Sequence, residues 1–290
     1  MLSPRPKHLA VQATGRPAGA IGVFDSGVGG LSVLKALRAE LPHERFVYVA
    51  DSGHAPYGER DDVHVVTRSH AITRHLVTQH HIKALVVACN TATAAAIQAL
   101  RQSYPDLPII GIEPALKPAA AASQTHLIGV MATRGTLNSE QFRNLLESLR
   151  SQTTFVLQPC DGLADAIEHA DATKIEAACA YYTGAMGRFG LNSDEMDTLV
   201  LGCTHYPFAE NTLRNLVGAN VAFLEGGAPV ARQTRRLLAA HHQLAEINST
   251  NLPLADSSDF FTTGSADILH QAAQRWLQLQ VHVRTLTIES

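Results

Sequence analysis

The chain has 290 residues, 46% hydrophobic and 17% charged, enough for two domains of ordinary size or one large one with a sizeable core. Its formal net charge of −3 gives no basic footprint for nucleic acid, and no apolar run approaches the roughly 20 residues that span a bilayer. Four cysteines in so long a chain, without a CxxC pair or an export signal, read as reduced thiols rather than as a disulfide framework or a structural zinc site.

Residues 1–19 carry Arg5, Lys7 and Arg16, three prolines and no acid. They lack the continuous apolar core of a secretory signal and are expected to form a flexible N-terminal extension. A cytoplasmic location is the expectation that follows. Beyond them, short apolar runs alternate with helical periodicity. The runs Ala20–Asp25, Phe46–Ala50, Ala84–Cys89 and Pro108–Ile112 predict strands, as do His126–Met131, Thr154–Gln158 and Thr198–Gly202. Val221–Leu224, Phe260–Thr262 and His282–Leu286 complete the set. Helical patterns lie between them, among them Leu31–Glu40, Val63–His80, Gly135–Arg150 and Arg232–Leu244.

This alternation predicts an α/β protein whose parallel sheets are covered by helices on both faces. The stretches ALVVACNTAT (Ala84–Thr93) and DTLVLGCTHYPF (Asp197–Phe208) share one design: an apolar strand, then a cysteine at its end, then polar residues. The repetition suggests two similar lobes, each supplying one cysteine. Lys117–Gln124 is the expected crossing after the first lobe, and the chain is expected to return near Gly226–Pro229. The expected division is therefore residues 20–117 with 226–290 as the first lobe and 118–225 as the second.

Ligands of open α/β sheets bind at the carboxyl ends of the strands. There the sequence places DSGVGG (Asp25–Gly30), DSGHAPYG (Asp51–Gly58), CNTAT, ATRGT (Ala132–Thr136) and GCTHYP (Gly202–Pro207). A lone cysteine usually packs as a small hydrophobe. Cys89 and Cys203 instead stand beside polar residues, and Asn90 or Thr91 would cap the helix that follows Cys89. A thiol before a helix N-terminus feels a positive potential that favours thiolate. Cys160 also ends a strand, while Cys179 reads as helical core. DSGVGG lacks the dinucleotide spacing and a Walker lysine. It is either a tight turn that needs glycine or a cradle of backbone N–H groups for an anion. Asp25 could cap a helix, support another group or meet a substrate ammonium. His205 could assist the thiol beside it or join a metal site, although no complete ligand set stands at standard spacing. Tyr57 belongs to a turn or bonds a ligand, and the other histidines read mostly as surface residues.

Two thiols facing one another across a cleft suit the inversion of a carbon centre, where one group removes a proton from one face and the other returns one to the opposite face.

The stretches VFDSGVGGLSV, the segment ending in Pro56–Tyr57–Gly58, VVACNTAT, GVMATRGT and LVLGCTHYPF occur in this order from about residue 23 to 208. With TTG at Thr262–Gly264, they make the chain resemble the glutamate racemases of the cofactor-independent aspartate/glutamate racemase superfamily. The resemblance implies two pseudo-symmetric α/β lobes with the active site between them. It implies interconversion of L- and D-glutamate without pyridoxal phosphate or metal, the D-glutamate entering peptidoglycan precursors. It makes Cys89 and Cys203 the acid/base pair, with Asp25 and His205 as their polar partners. Ser26, Tyr57, Gly58, Asn90, Thr91 and Thr204 would hold the amino acid, joined by Thr133 and Thr136. An acid after the next strand is also implied, for which Glu168 is the candidate, with Asp161 and Asp165 nearby. Some members with an N-terminal extension need a UDP-linked muramoyl-alanine precursor as activator. A monomer and a homodimer both fit the resemblance. The competing readings are a racemase for aspartate or a related acid, a two-lobed anion-binding protein without turnover, and a metal protein using Cys89, Cys203 and His205.

Overall fold

The computed structural model describes residues 19–151, 153–245 and 258–289. The expected extension lies outside it, apart from Gly19. Among the described residues the strands are β1 (Ile21–Asp25), β2 (Phe46–Ala50), β3 (Ala84–Val87), β4 (Ile109–Gly111), β5 (Leu127–Ala132), β6 (Thr154–Pro159), β7 (Thr198–Gly202), β8 (Ala222–Leu224), β9 (Ser258–Thr262) and β10 (Val283–Thr285). Between them run the helices α1 (Leu31–Glu40), α2 (Asp62–His80), α3 (Asn90–Ser103), α4 (Leu116–Ala122), α5 (Arg134–Asn138), α6 (Glu140–Glu147), α7 (Leu163–Glu168), α8 (Ala172–Met186), α9 (Glu210–Val217), α10 (Gly227–Ala240) and α11 (Ala266–Leu277). Each predicted strand is present to within two residues at either end.

The strands form two parallel sheets, ordered β10-β9-β2-β1-β3-β4 and β6-β5-β7-β8. The run β2-β1-β3-β4 in one sheet repeats as β6-β5-β7-β8 in the other. That repeat is the pseudo-symmetry expected of the two lobes. In each sheet the strand order reverses beside its first strand in the chain, the position where open α/β sheets leave a crevice for ligands. The continuous apolar runs follow from burial on both faces. Leu85, Val86 and Val87 of β3, like Leu199 and Val200 of β7, have no exposed surface. Each such side chain contributes about 1.5–3 kcal/mol by leaving water. Two apolar clusters sandwich the first sheet and two more the second.

Several local expectations change. The helix predicted over Gly135–Arg150 is broken at Ser139, which ends α5 in an extended conformation and caps α6 by accepting the Phe142 N–H at 3.1 Å. α10 begins five residues before Arg232, because Pro229 is tolerated in a first turn and the Glu225 carboxylate receives the Gly227 N–H. It ends at Ala240, before His242 turns to φ 54°. Most of Lys117–Gln124 is helix α4, whose Leu116 and Ala119 pack against the second sheet. Not all other histidines are surface groups: His75 and His80 are half-buried, and burial pulls both imidazoles below their ordinary range. Phe208, in the turn that follows β7, stacks on Trp276 of α11 with ring centres 3.7 Å apart, tying the second lobe to a helix of the first.

Candidate active site

β3 and β7 are the third strands of the repeated pattern, and each is followed closely by a buried thiol, Cys89 and Cys203 respectively. The thiol at 89 is itself the N-cap of α3, with Sγ accepting the Ala92 N–H at 3.5 Å. Neither Asn90 nor Thr91 caps the helix, because helical geometry begins at Asn90 directly after the extended Cys89. This places the sulfur at the positive end of a 14-residue helix. Burial, and then the charge of Asp25, push the Cys89 thiol well above its usual range, and Cys203 adds to the effect. Cys89 Sγ also stands 3.8 Å from Ser26 Oγ.

Asp25 ends β1 and is fully buried. It caps no helix, since a 3₁₀ turn at Val28–Gly30 separates it from α1. Its Oδ1 accepts the Ser26 N–H at 2.6 Å, and its Oδ2 accepts the Thr204 hydroxyl from the second lobe at 3.1 Å. Burial raises its carboxyl, opposed by His205.

On the Cys203 side, Sγ lies 3.8 Å from His205 Nδ1, and His205 Nε2 lies 2.8 Å from Glu168 Oε2. Burial alone would lower the imidazole, but its bonds to Cys203 and Glu168 raise it well above the ordinary value. Burial likewise works to raise Glu168, yet its carboxyl lies below the usual range because of His205 and the Val28 N–H. The two directions agree, and both favour an imidazolium facing a carboxylate. A neighbouring imidazolium is the partner a thiolate needs.

Glu168 is thus singled out from its neighbours by position. Asp161 pairs with exposed Arg134, and Asp165 with exposed His169. Glu168 comes from α7 but reaches the first lobe, where its Oε2 accepts the Val28 N–H and its Oε1 accepts the Ser52 hydroxyl, each at 2.8 Å. Its contacts are with His205 and the opposite lobe. Of the two readings of DSGVGG, a tight turn or a cradle of N–H groups for an anion, the structure shows one N–H, that of Val28, on an anion, and that anion is the protein's own Glu168 carboxylate. The glycines there serve close approach: a Cβ on Gly27 would stand 2.3 Å from Glu168 Oε2, and one on Gly29 would stand 2.2 Å from His205 Nδ1.

The remaining candidates surround these groups. Thr91, Thr133 and Thr136 form a chain of hydroxyls across the lobes, at 3.1 and 2.9 Å. Gly58 packs on Thr133, where a Cβ would come within 2.8 Å of the threonine Cβ. Asn90 is buried with its Oδ1 unpartnered, an acceptor open to a ligand donor. The Tyr57 hydroxyl is taken up by the buried Asp51 carboxylate at 2.5 Å and is not a free ligand group. That carboxylate also receives Arg68 Nε at 3.0 Å, Arg68 Nη2 at 2.9 Å and Thr263 Oγ1 at 2.8 Å. Cys160 and Cys179 lie in the same apolar cluster of the second lobe as Cys203; Cys160 Sγ bonds the Gln158 carbonyl at 3.3 Å, and burial raises Cys179 to about 11. Ser52, Asp51, Arg68 and Ser32, whose hydroxyl lies 2.9 Å from the Thr204 carbonyl, were not among the sequence candidates. Only the location of Asp51 and Ser52 at a strand end pointed to them.

The arrangement places one buried thiol after the third strand of each repeated sheet, each with its own polar support. Residues 28–234 match the family model described as Asp/Glu/hydantoin racemase. The chain is 46% identical over 265 residues to the glutamate racemase of Ectopseudomonas mendocina, covering 91% of this chain and 97% of that one. To the glutamate racemase of Cupriavidus pinatubonensis it is 45% identical over 272 residues, covering 93% and 95%. Among solved structures, glutamate racemase RacE1 of Bacillus anthracis superposes with a TM-score of 0.78 at 32% identity, covering 94% of this chain and 98% of that one. The Escherichia coli glutamate racemase, in complex with L-glutamate and the activator UDP-MurNAc-Ala, gives a TM-score of 0.78 at 28% identity, covering 94% and 100%.

Proposed function

The chain belongs to the Asp/Glu/hydantoin racemase family and interconverts the enantiomers of glutamate, and we propose that it does so with Cys89 and Cys203 acting on opposite faces of the substrate α-carbon. The observation that supports this reading is the pair of buried thiols that follow equivalent strands of two repeated sheets, Cys89 beside Ser26 and Cys203 beside His205.

One sulfur begins as thiolate and the other as thiol. The thiolate removes the α-hydrogen as a proton, leaving the electron pair on the α-carbon, where the adjoining carboxylate delocalises it. The opposite thiol then delivers its proton to the other face. The inverted product departs with the protonation states of the two sulfurs exchanged, which is the starting state for the reverse reaction. One proton enters and one leaves, so the balance closes without a redox step. On the Cys203 side, the His205 imidazolium neutralises the thiolate and Glu168 holds the imidazole. On the Cys89 side, the positive end of α3 and the Ser26 hydroxyl stabilise the thiolate, while the charge of buried Asp25 opposes it. Enclosure strengthens each of these interactions. Asn90, Thr91, Thr204, Ser26 and the Gly58 backbone are the proposed substrate contacts, with Thr133 and Thr136 closing the cleft.

The same proposal includes supply of D-glutamate to peptidoglycan precursors, a cytoplasmic location, and the lobe boundaries read from the sequence. A monomer or homodimer fits it. A UDP-linked muramoyl-alanine is a candidate activator, on the precedent of the Escherichia coli protein. The test is incubation with L- or D-glutamate in D₂O, with and without that activator, following the α-hydrogen by proton NMR. Loss of the signal from both enantiomers is expected; its retention in both arms would contradict the reading.

A further inference from the structure

The Glu168 carboxylate is held unequally at its two oxygens. Oε2 receives the Val28 N–H and faces His205 Nε2, while Oε1 receives the hydroxyl of Ser52 at 2.8 Å. The terminal torsion of a glutamate is broad, so a carboxylate held through one oxygen still swings. A donor on the second oxygen fixes its plane, and with it the direction from which the imidazole is gripped.

Ser52 is itself firmly placed. Its neighbour Asp51 is locked by Tyr57, Arg68 and Thr263. The Gly53 N–H donates to Thr263 Oγ1 at 3.1 Å, and Gly264 lies so close that a Cβ there would meet the Ser52 Cβ at 2.9 Å. The serine therefore projects from a stiff loop of the first lobe onto a carboxylate of the second. Resting on the two-thiol reading above, we infer that Ser52 is a positioning residue for proton transfer at Cys203: its hydroxyl fixes the Glu168 carboxylate that orients His205. A consequence is that the support of Cys203 is complete only when the two lobes are together, because both Val28 and Ser52 come from the opposite side. The substrate itself need not touch Ser52.

The test is steady-state racemisation of glutamate by full-length Ser52→Ala, Glu168→Gln and the double variant, with folding checked by thermal melting. A hydrogen bond to a charged group supports an effect of about tenfold on kcat for Ser52→Ala, with KM within about twofold. In the Glu168→Gln background the same change is expected to cost less than about twofold, because the carboxylate it orients is gone. Equal losses in both backgrounds, or full kcat in Ser52→Ala, would overturn the assignment of Ser52 and leave the two-thiol reading standing. Full activity in Glu168→Gln would overturn the role of the Glu168–His205 pair and this inference with it.

Discussion

His205 Nε2 and Glu168 Oε2 stand 2.8 Å apart, and the same carboxylate reaches across the cleft to the backbone of Val28. One buried acid therefore supports the imidazole beside Cys203 and joins the two lobes.

Glu168→Gln keeps the shape and removes the charge. It is expected to lower kcat by about 10–100-fold, the range for one hydrogen bond to a charged group. The pair also has a stability signature. Glu168 lies below its ordinary value of 4.5, so its contribution is present above that value and fades as pH falls through the lower folded-state value. His205 lies above its ordinary 6.5, so its contribution is complete below 6.5 and fades as pH rises through the higher folded-state value. The melting-temperature gap between the protein and Glu168→Gln should be widest between these ordinary values and shrink toward either side. A gap independent of pH would contradict the ion pair.

Gly29→Ala would place a methyl group 2.2 Å from His205 Nδ1. The imidazole must move, and a shift of about 1 Å in a reacting group can cost about 100-fold. Circular dichroism should show an intact fold while kcat drops by that order. Retention of more than half the activity would mean that the cleft can open to admit the methyl group.

Asp51→Asn tests the scaffold behind the site. Arg68 and Asp51 are both buried, and removing one partner of a buried pair costs about 3–5 kcal/mol. Urea unfolding should show a loss of that size, and activity should fall as Tyr57 and Ser52 lose their anchor. Unchanged stability would show that Arg68 finds another partner.

The strands and the double-cysteine design were legible because burial on both faces leaves continuous apolar runs, and these do not depend on distant partners. The break at Ser139 was not, since its hydroxyl both ends one helix and starts the next within an unbroken polar-apolar pattern. The N-cap at Cys89 is not legible in the sequence, because a sulfur is a weak acceptor and Asn90 and Thr91 are better caps by type. Asp25, Ser26 and Thr204 could be placed by their position at strand ends. The preference for Glu168 over Asp161 and Asp165 depended on resemblance, because the contact that distinguishes it lies 140 residues away at Val28. Ser52 and Arg68 stayed hidden for the same reason: the register between lobes is set by three-dimensional packing, which local periodicity does not encode.

In the proposed mechanism each thiol serves one face of the α-carbon. The most direct measurement is α-hydrogen exchange in D₂O by Cys89→Ala and Cys203→Ala, each offered L- and D-glutamate separately, with chirality read alongside the proton signal. With one thiol removed, the other can still remove a proton from its own face and return a deuteron there. Each variant is expected to exchange one enantiomer without inverting it, the two variants choosing opposite enantiomers and neither racemising at an appreciable rate. Exchange of both enantiomers by a single variant, or racemisation retained after loss of either thiol, would contradict it.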